Sequence, residues 1–401
     1  MDKLFERHDA YLEEVSMNYI RDIINDIDWN LRLVVIKGPK GVGKSTLMQQ
    51  YIKKNYDKND RHVLYCSADT SYFTTHSLIE VAEQFVKIGG RHLFIDEIHK
   101  YKGWSREIKE MYDLYKGLRI VVSGSSLIQL NDGQADLSRR AIEYNMPGLS
   151  YREYLRMDSD IALEPVSLDS LLENANEYCS YVREKCHPLE HFSDYLQKGY
   201  YPFFLEGKSV YYSRLEGVIN YTIDVELTKY RNLEVGNTRS VKALLQVISQ
   251  MMPYEVDIAK LSRATAISRP STLKYLRNLE EGCLVRRLFT DLATVSDLQK
   301  PDKLYLDNTN LLYALSKDKP EIGTVRETFF ANQLASAGCR LEYAGYKSGD
   351  FKINGSIIVE VGGPDKGFSQ IAGQDRAYVA ADEIESAVFK KIPLWAFGFL
   401  Y

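Results

Sequence analysis

The 401 residues predict an α/β fold, a doubly wound parallel sheet followed by a helical region and a small α+β domain. Three observations predict it. Apolar runs of strand length recur at 31–37, 61–66, 91–96, 118–123 and 141–146, with helix-forming stretches such as 75–88 and 104–116 between them. That alternation gives parallel strands their crossover helices. The first run passes through a glycine-rich turn into a helix, the strand–turn–helix order of the first crossover in such sheets. The chain is also longer than one hydrophobic core usually fills, since domains run to about 100–200 residues. The expected segments are a sheet domain over 1–155, a helical lid or bridge over 156–235, a helix-turn-helix with a wing over 236–300 and the small α+β domain over 301–401.

Composition narrows the class of function. With 45% hydrophobic and 26% charged residues the chain has ordinary globular usage, which argues against a disordered or disulfide-scaffolded protein. A net charge of −4 gives no general attraction to nucleic acid, so any such binding needs a local basic face. The five cysteines, Cys66, Cys179, Cys186, Cys283 and Cys339, are odd in number and never spaced C-x2-C. They are expected to be buried thiols rather than zinc ligands or bridges. No run of 18 apolar residues and no apolar leader is present, so the expectation is a cytoplasmic chain without a membrane partner.

The stretch LRLVVIKGPKGVGKSTLMQQYIKKN, residues 31–55, carries the phosphate-binding pattern G-x4-G-K-[ST]. A strand leads in and a helix is expected from near Gly43, the context a P-loop needs. Gly38, Pro39, Lys40, Gly41, Val42, Gly43, Lys44, Ser45 and Thr46 form the expected nucleotide cradle. Its glycines permit close backbone approach, and successive amides with the helix N-terminus make an anion site. Lys44 is expected to offset phosphate charge and Ser45 to ligate Mg2+.

HLFIDEIHK, residues 92–100, ends a second apolar strand in Asp96 and Glu97, paired carboxylates that are costly side by side without a cation. Asp96 is expected to face Mg2+ by way of its water shell. Glu97 is placed to orient and deprotonate a water for attack on the γ-phosphate, which favours hydrolysis over transfer. A third apolar strand, LRIVVSGSSLIQL, delivers Ser123 and Ser125 at its C-terminal end, where ligands gather in open α/β sheets. Either hydroxyl is a candidate to feel the γ-phosphate or the attacking water.

In that order GPKGVGKST, HLFIDEIHK, KGWSREIKEMYDLYK, VVSGSS and LSRRAIEYNMPGLSYREYL resemble the AAA+ (P-loop NTPase) ATPase domain of a large group of prokaryotic proteins of unassigned role. The resemblance covers residues 1 to about 155. It implies ATP as the nucleotide, Ser125 or Ser123 as the sensor, and an arginine near the nucleotide or its neighbour. Where the family usually shows Gly-Arg, this chain has Arg139-Arg140, and Arg140 is the favoured candidate.

Residues 156–235 are rich in helix formers and tyrosine, with apolar positions such as Leu171, Tyr178, Tyr181 and Val182 at helical spacing. Tyrosines spaced this way are expected in the core rather than stacked on bases. Beyond them, one amphipathic helix is expected to end before Pro253, a short one to cover about 257–264, and a turn at 265–268 to lead into a third bearing Leu273, Leu276 and Leu279. A β-like pair, CLVRRLF, follows Gly282. Helix, helix, turn, helix, wing is the winged helix-turn-helix order. Between Ile258 and Arg287 the basic residues are Lys260, Arg263, Arg269, Lys274, Arg277, Arg286 and Arg287 against Glu280 and Glu281, a net +5. Double-stranded DNA is the expected partner of that face through phosphate contacts, with a protein partner as the alternative.

The family resemblance continues through KPDKLYLDNTNLLYAL, VRETFFANQL and CRLEYAGYKSGDFKINGSIIVEVGG, over about residues 300–401, to a region resembling the restriction-endonuclease (PD-(D/E)xK) fold. Position by position it implies Glu327, Asp350 and Glu360 as a second metal cluster. The motif's lysine place is taken by Gly362, with Gly363 after it, and Lys366 or Lys352 are the candidate substitutes. The expectation is a nuclease-like scaffold with weak or absent cleavage. The function read from the sequence is therefore an ATP-hydrolysing switch, using ATP and Mg2+, that moves a winged helix and this scaffold. The alternatives are an Mg-dependent nuclease regulated by ATP and a nucleotide-binding regulator with little turnover.

Overall fold

The computed structural model describes residues 1–128, 137–231, 233–250, 256–290, 299–345 and 348–401. The chain divides into two compact units, Met1–Pro147 and Gly148–Tyr401. Helix α6 (Tyr151–Ser159), which the sequence places at the end of its first segment, thus belongs to the second unit.

The first unit opens with α1 (Asp2–Glu14) and the short α2 (Ile23–Asp26), then alternates β1 (Leu33–Gly38), α3 (Lys44–Asn55), β2 (Val63–Ser67), α4 (Leu78–Lys87), β3 (His92–Asp96), α5 (Trp104–Leu114), β4 (Arg119–Ser125) and β5 (Ile142–Asn145). All five strands run parallel in the order β2-β3-β4-β1-β5. The reason lies in their composition. Leu33 to Ile36, Leu93 to Ile95 and Ile120 to Val122 are buried at 1% exposure or less, and strands covered on both faces read as continuous apolar runs. Helix α4 is fixed at its start by a capping box in which Ser77 and Glu80 satisfy each other's backbone N–H, supplying two of the donors a helix start leaves over.

Strand β4 lies between β1 and β3, so the apolar run at 118–123 separates the two that carry the P-loop and the acid pair. In register, Ser123 sits beside Ile36, and Ser125 beside Gly38. The loop and the two acids are thereby delivered to the same C-terminal edge of the sheet.

The second unit continues from α6 with α7 (Leu168–Arg183), α8 (Pro188–Lys198), α9 (Tyr211–Tyr221), a π-turn, α10 (Thr228–Tyr230), α11 (Thr238–Ser249), α12 (Ile258–Thr265) and α13 (Arg269–Glu281). Strands β6 (Val285–Leu288) and β7 (Lys303–Leu306) pair antiparallel. Next come α14 (Thr309–Leu315), α15 (Ile322–Ser336), β8 (Leu341–Tyr343), β9 (Phe351–Ile353), β10 (Ile357–Gly362), β11 (Ala377–Ala381) and β12 (Lys391–Pro393). These last five strands form a mixed sheet ordered β12-β11-β10-β9-β8, parallel from β10 to β12 and antiparallel from β10 to β8.

Two local expectations change here. CLVRRLF is not a strand pair by itself: it supplies β6, whose partner β7 lies past residue 300, so the pairing crosses the 300/301 boundary. The inward face of α13 is Thr272, Tyr275, Leu276 and Leu279, because residues three and four apart share a face, and Leu273 is only half-buried. Helix α11 ends at Ser249, before Pro253 as expected.

The tyrosines of the second unit serve its core. Tyr151, Tyr154, Tyr195, Tyr200, Tyr201 and Tyr211 are buried, and their hydroxyls find internal acceptors such as Leu149 O for Tyr195, 2.8 Å away, and Asn310 Oδ1 for Tyr211. Buried phenols need such partners. Cys66 and Cys179 are buried thiols as expected, whereas Cys186, Cys283 and Cys339 are partly exposed, and all five are free.

Candidate functional site

The cradle forms at the end of β1. Gly41 and Gly43 take left-handed φ of 87° and 97°, a region open to glycine at no steric cost. A Cβ on Gly38 would stand 2.2 Å from Met146 O, so only glycine fits there. Arg21, a buried side chain that sequence reading passed over, donates from Nη1 to Val42 O at 3.1 Å and to Pro147 O at 3.1 Å. It ties the loop to the last residue of the unit.

Lys44 opens α3. Its ammonium is buried and donates to Gly38 O at 2.9 Å and Pro39 O at 2.8 Å. The cation therefore rests on the loop's own carbonyls, within the cradle where a phosphate's charge belongs. Ser45, half-buried, and Thr46 follow on the first turn.

Asp96 is held on both oxygens. Tyr65 Oη donates to Oδ2 at 2.8 Å and Ser123 Oγ donates to Oδ1. Ser123 Oγ also accepts from Glu97 N at 3.2 Å, so Ser123 locks the acid pair from the neighbouring strand. Ser125 stands apart from it, beside Gly38, with its Oγ accepting from Leu127 N at 3.3 Å. The two sensor candidates thus have different neighbours.

Glu97 adopts left-handed backbone with φ 51°, a conformation costing a non-glycine residue ~1–2 kcal/mol. Burial first, and the Asp96 charge second, raise its pKa above the usual carboxylate value despite nearby Lys44 and Lys40. His99, two residues on and 2% exposed, brings Nε2 to 3.3 Å from Glu97 Oε2, while Ser125 N–H donates to His99 Nδ1 at 3.4 Å. His99 Nε2 thus lies beside the glutamate oxygen at ion-pair distance, outside hydrogen-bond geometry. A Cβ on Gly124 would stand 1.9 Å from Ile128 Cδ1 and 3.2 Å from His99 Nδ1, so the glycine leaves room for both side chains. The sequence signal for His99 was its place just after the acid pair. Its link to Ser125 depends on strand pairing and left no local trace.

Arg140 is not brought to this cluster. It grips Asp113 of α5 with Nε and Nη2, each at 3.2 Å, and lies over the Tyr112 ring. It precedes β5, whose Ile142 pairs with Val34 near the start of β1. Arg140 therefore sits at the opposite end of the sheet from the cradle formed by its own chain.

The residues fit a nucleotide with Mg2+: a glycine cradle, a buried lysine turned into it, Ser45 at the helix start and a doubly anchored Asp96. The second metal cluster does not fit in this way. Glu327 on α15, Asp350 before β9 and Glu360 on β10 do converge, but around lysines. Lys303 Nζ is 3.0 Å from both Glu327 Oε2 and Asp350 Oδ1, and Lys366 Nζ is 2.5 Å from Glu360 Oε1. Among the described residues no group of three or more His, Cys, Asp or Glu side chains is arranged to hold a metal ion. Lys352 is directed elsewhere, 3.3 Å from Glu342 Oε2. Lys366 folds back over the sheet because Gly362 lacks a side chain: a Cβ there would stand 2.7 Å from Lys366 Cγ.

On α12, α13 and β6 the basic residues divide. Arg277 pairs with Glu281, Arg287 with Glu280 and Arg286 with Asp307, whereas Lys260, Arg263, Arg269 and Lys274 are exposed.

Residues 30–155 match the model of a family described as an AAA domain. Two uncharacterized proteins of Methanocaldococcus jannaschii are similar to the chain. MJ1637 is 23% identical over 76% of this chain and 63% of its own length, and MJ1544 is 23% identical over 84% of this chain and 75% of its own. The chain therefore spans a little under two thirds of the first relative. Among solved structures, PCH-2 of C. elegans aligns over 39% of this chain and 44% of its own at 17% identity and TM-score 0.26. A structure concerned with katanin self-assembly aligns over 39% and 59% at 12% and 0.25. No helix among the described residues is long and apolar enough to cross a membrane.

Proposed function

We propose that this chain, whose first unit carries an AAA-type P-loop domain, is an ATP-hydrolysing switch. The observation that carries the reading is the meeting of the Lys44 cradle with the Asp96–Glu97 pair at one sheet edge, bridged by the end of β4. The loop amides and Lys44 would bind the β and γ phosphates, and Ser45 and, by way of its water shell, Asp96 would hold Mg2+. When bound, the ion would supply charge neutralisation. Glu97 accepts the proton of the attacking water, and its raised pKa brings it nearer to neutrality than an ordinary carboxylate. His99 is a positioning residue: its buried ring packs beside Glu97 Oε2 at 3.3 Å, and its Nδ1 accepts from Ser125 N–H. Arg140, remote from its own cradle, reaches a nucleotide only on a second copy of the chain, which makes an oligomer the working form.

A winged-helix reading of α11–α13 with β6 and β7 is supported by four exposed cations, Lys260, Arg263, Arg269 and Lys274, and double-stranded DNA is its partner in this reading. The central test is Glu97→Gln. ATP binding by calorimetry should persist, while turnover falls by ~10²–10⁴-fold. Turnover at the original rate would remove Glu97 as the base.

A further inference from the structure

The acidic cluster of the second unit is built around a cation that the chain itself provides. Lys303 enters from β7 with a side chain only 10% exposed. It reaches a carboxylate from α15 and another from the turn before β9, each at 3.0 Å. Further donors converge on the same two carboxylates. Tyr305 Oη donates to Glu327 Oε2 at 2.6 Å, and Val361 N donates to Asp350 Oδ2 at 3.0 Å. The rings of Tyr343 and Phe351 lie 5.1 and 5.9 Å from the ammonium, surroundings that suit a monovalent ammonium. The 3.0 Å contacts are N–H···O distances, and the described residues hold no group of three or more His, Cys, Asp or Glu arranged for a metal, whereas Mg2+ demands octahedral oxygen contacts at ~2.0–2.1 Å.

We propose that the Lys303 ammonium is the resident cation of this cluster, taking the position a nuclease-like fold would give to a divalent metal, so that the carboxylates brace the second unit instead of activating water. Charge counting agrees. Glu327, Asp350 and Glu360 face Lys303 and Lys366, leaving one negative charge, and one proton closes the balance. Glu360 Oε2 is buried with no hydrogen-bond partner, a place where a carboxylic acid proton costs least. Burial first and Asp350 second raise the pKa of both Glu327 and Glu360. Burial works against the Lys303 charge, but Glu327 and Asp350 outweigh it and hold its pKa above the ordinary lysine value.

The test is Mn2+ calorimetry on the full chain without nucleotide, with plasmid cleavage in Mn2+ alongside. Wild type should show no site tighter than about 1 mM and leave plasmid intact, while Lys303→Met should gain one Mn2+ site per chain, at least about tenfold tighter. Adding Asp350→Asn to that variant should abolish the gain. Should Lys303→Met melt too readily for titration, Mn2+ ought to raise its melting temperature and leave that of wild type unchanged. The proposal is overturned by a wild-type Mn2+ site or cleavage that Asp350→Asn removes, or by a folded Lys303→Met chain that gains no Mn2+ affinity. Neither result bears on the P-loop, because no ATP is present.

Discussion

At Glu97, backbone strain, burial and a neighbouring charge coincide on one carboxylate, and His99 is the group that faces it. Burial is the first cause of the raised Glu97 pKa, and the His99 ring helps exclude water from that carboxyl, so removing the ring lowers it. His99→Ala should therefore lower kcat by roughly 10-fold or more with little change in KM for ATP, since the lost interaction belongs to the attacking water rather than to phosphate binding. The pH profile gives the sharper measurement. Activity requires ionised Glu97 and rises as pH passes its pKa, which already lies above the ordinary value. In the variant the acid limb should move down, toward the ordinary carboxylate value. An unmoved limb with unreduced kcat would mean that His99 has no part in placing Glu97.

Among the elements, α13 divides its work by face. Tyr275, Leu276 and Leu279 turn inward, while Arg269 and Lys274 face solvent and Arg277 is neutralised by Glu281. If the outer face meets phosphates, the double change Arg269→Glu, Lys274→Glu should weaken binding of the full chain to any duplex sequence. It should also reduce the slope of log affinity against log salt by about 1 per lost contact. A gel shift with no salt-sensitive binding by wild type, or one unaffected by the double change, would leave α13 as a protein-docking element.

For the molecule as a whole, the question is whether one chain suffices. Strands rise about 3.3 Å per residue, so the four residues from Val34 to Gly38 alone separate the Arg140 end of β1 from the cradle by roughly 13 Å. Mixing inactive Glu97→Gln chains, which keep the arginine, with Arg140→Ala chains, which keep an intact cradle and base, should recover ATPase activity. Recovery absent at every mixing ratio, or Arg140→Ala chains hydrolysing normally by themselves, would show that the arginine has no catalytic part.

What the sequence determined is what neighbouring residues determine. The apolar runs specified parallel strands buried on both faces, and the strands of the first unit fall within a few residues of their expected places. The glycines of residues 38–43 and the Asp96–Glu97 pair were readable because a phosphate loop and a strand-end acid pair are contiguous in the chain. Tertiary structure alone decided the rest. His99 meets Ser125 through a strand that follows a helix, Arg140 is carried to the far end of the sheet by β5, and Lys366 occupies the space that Gly362 leaves open. Lys303 and Glu327 lie on a strand and a helix that only folding brings within 3.0 Å. Which cation settles a buried carboxylate depends on who arrives beside it in space, and sequence spacing carries no record of that distance.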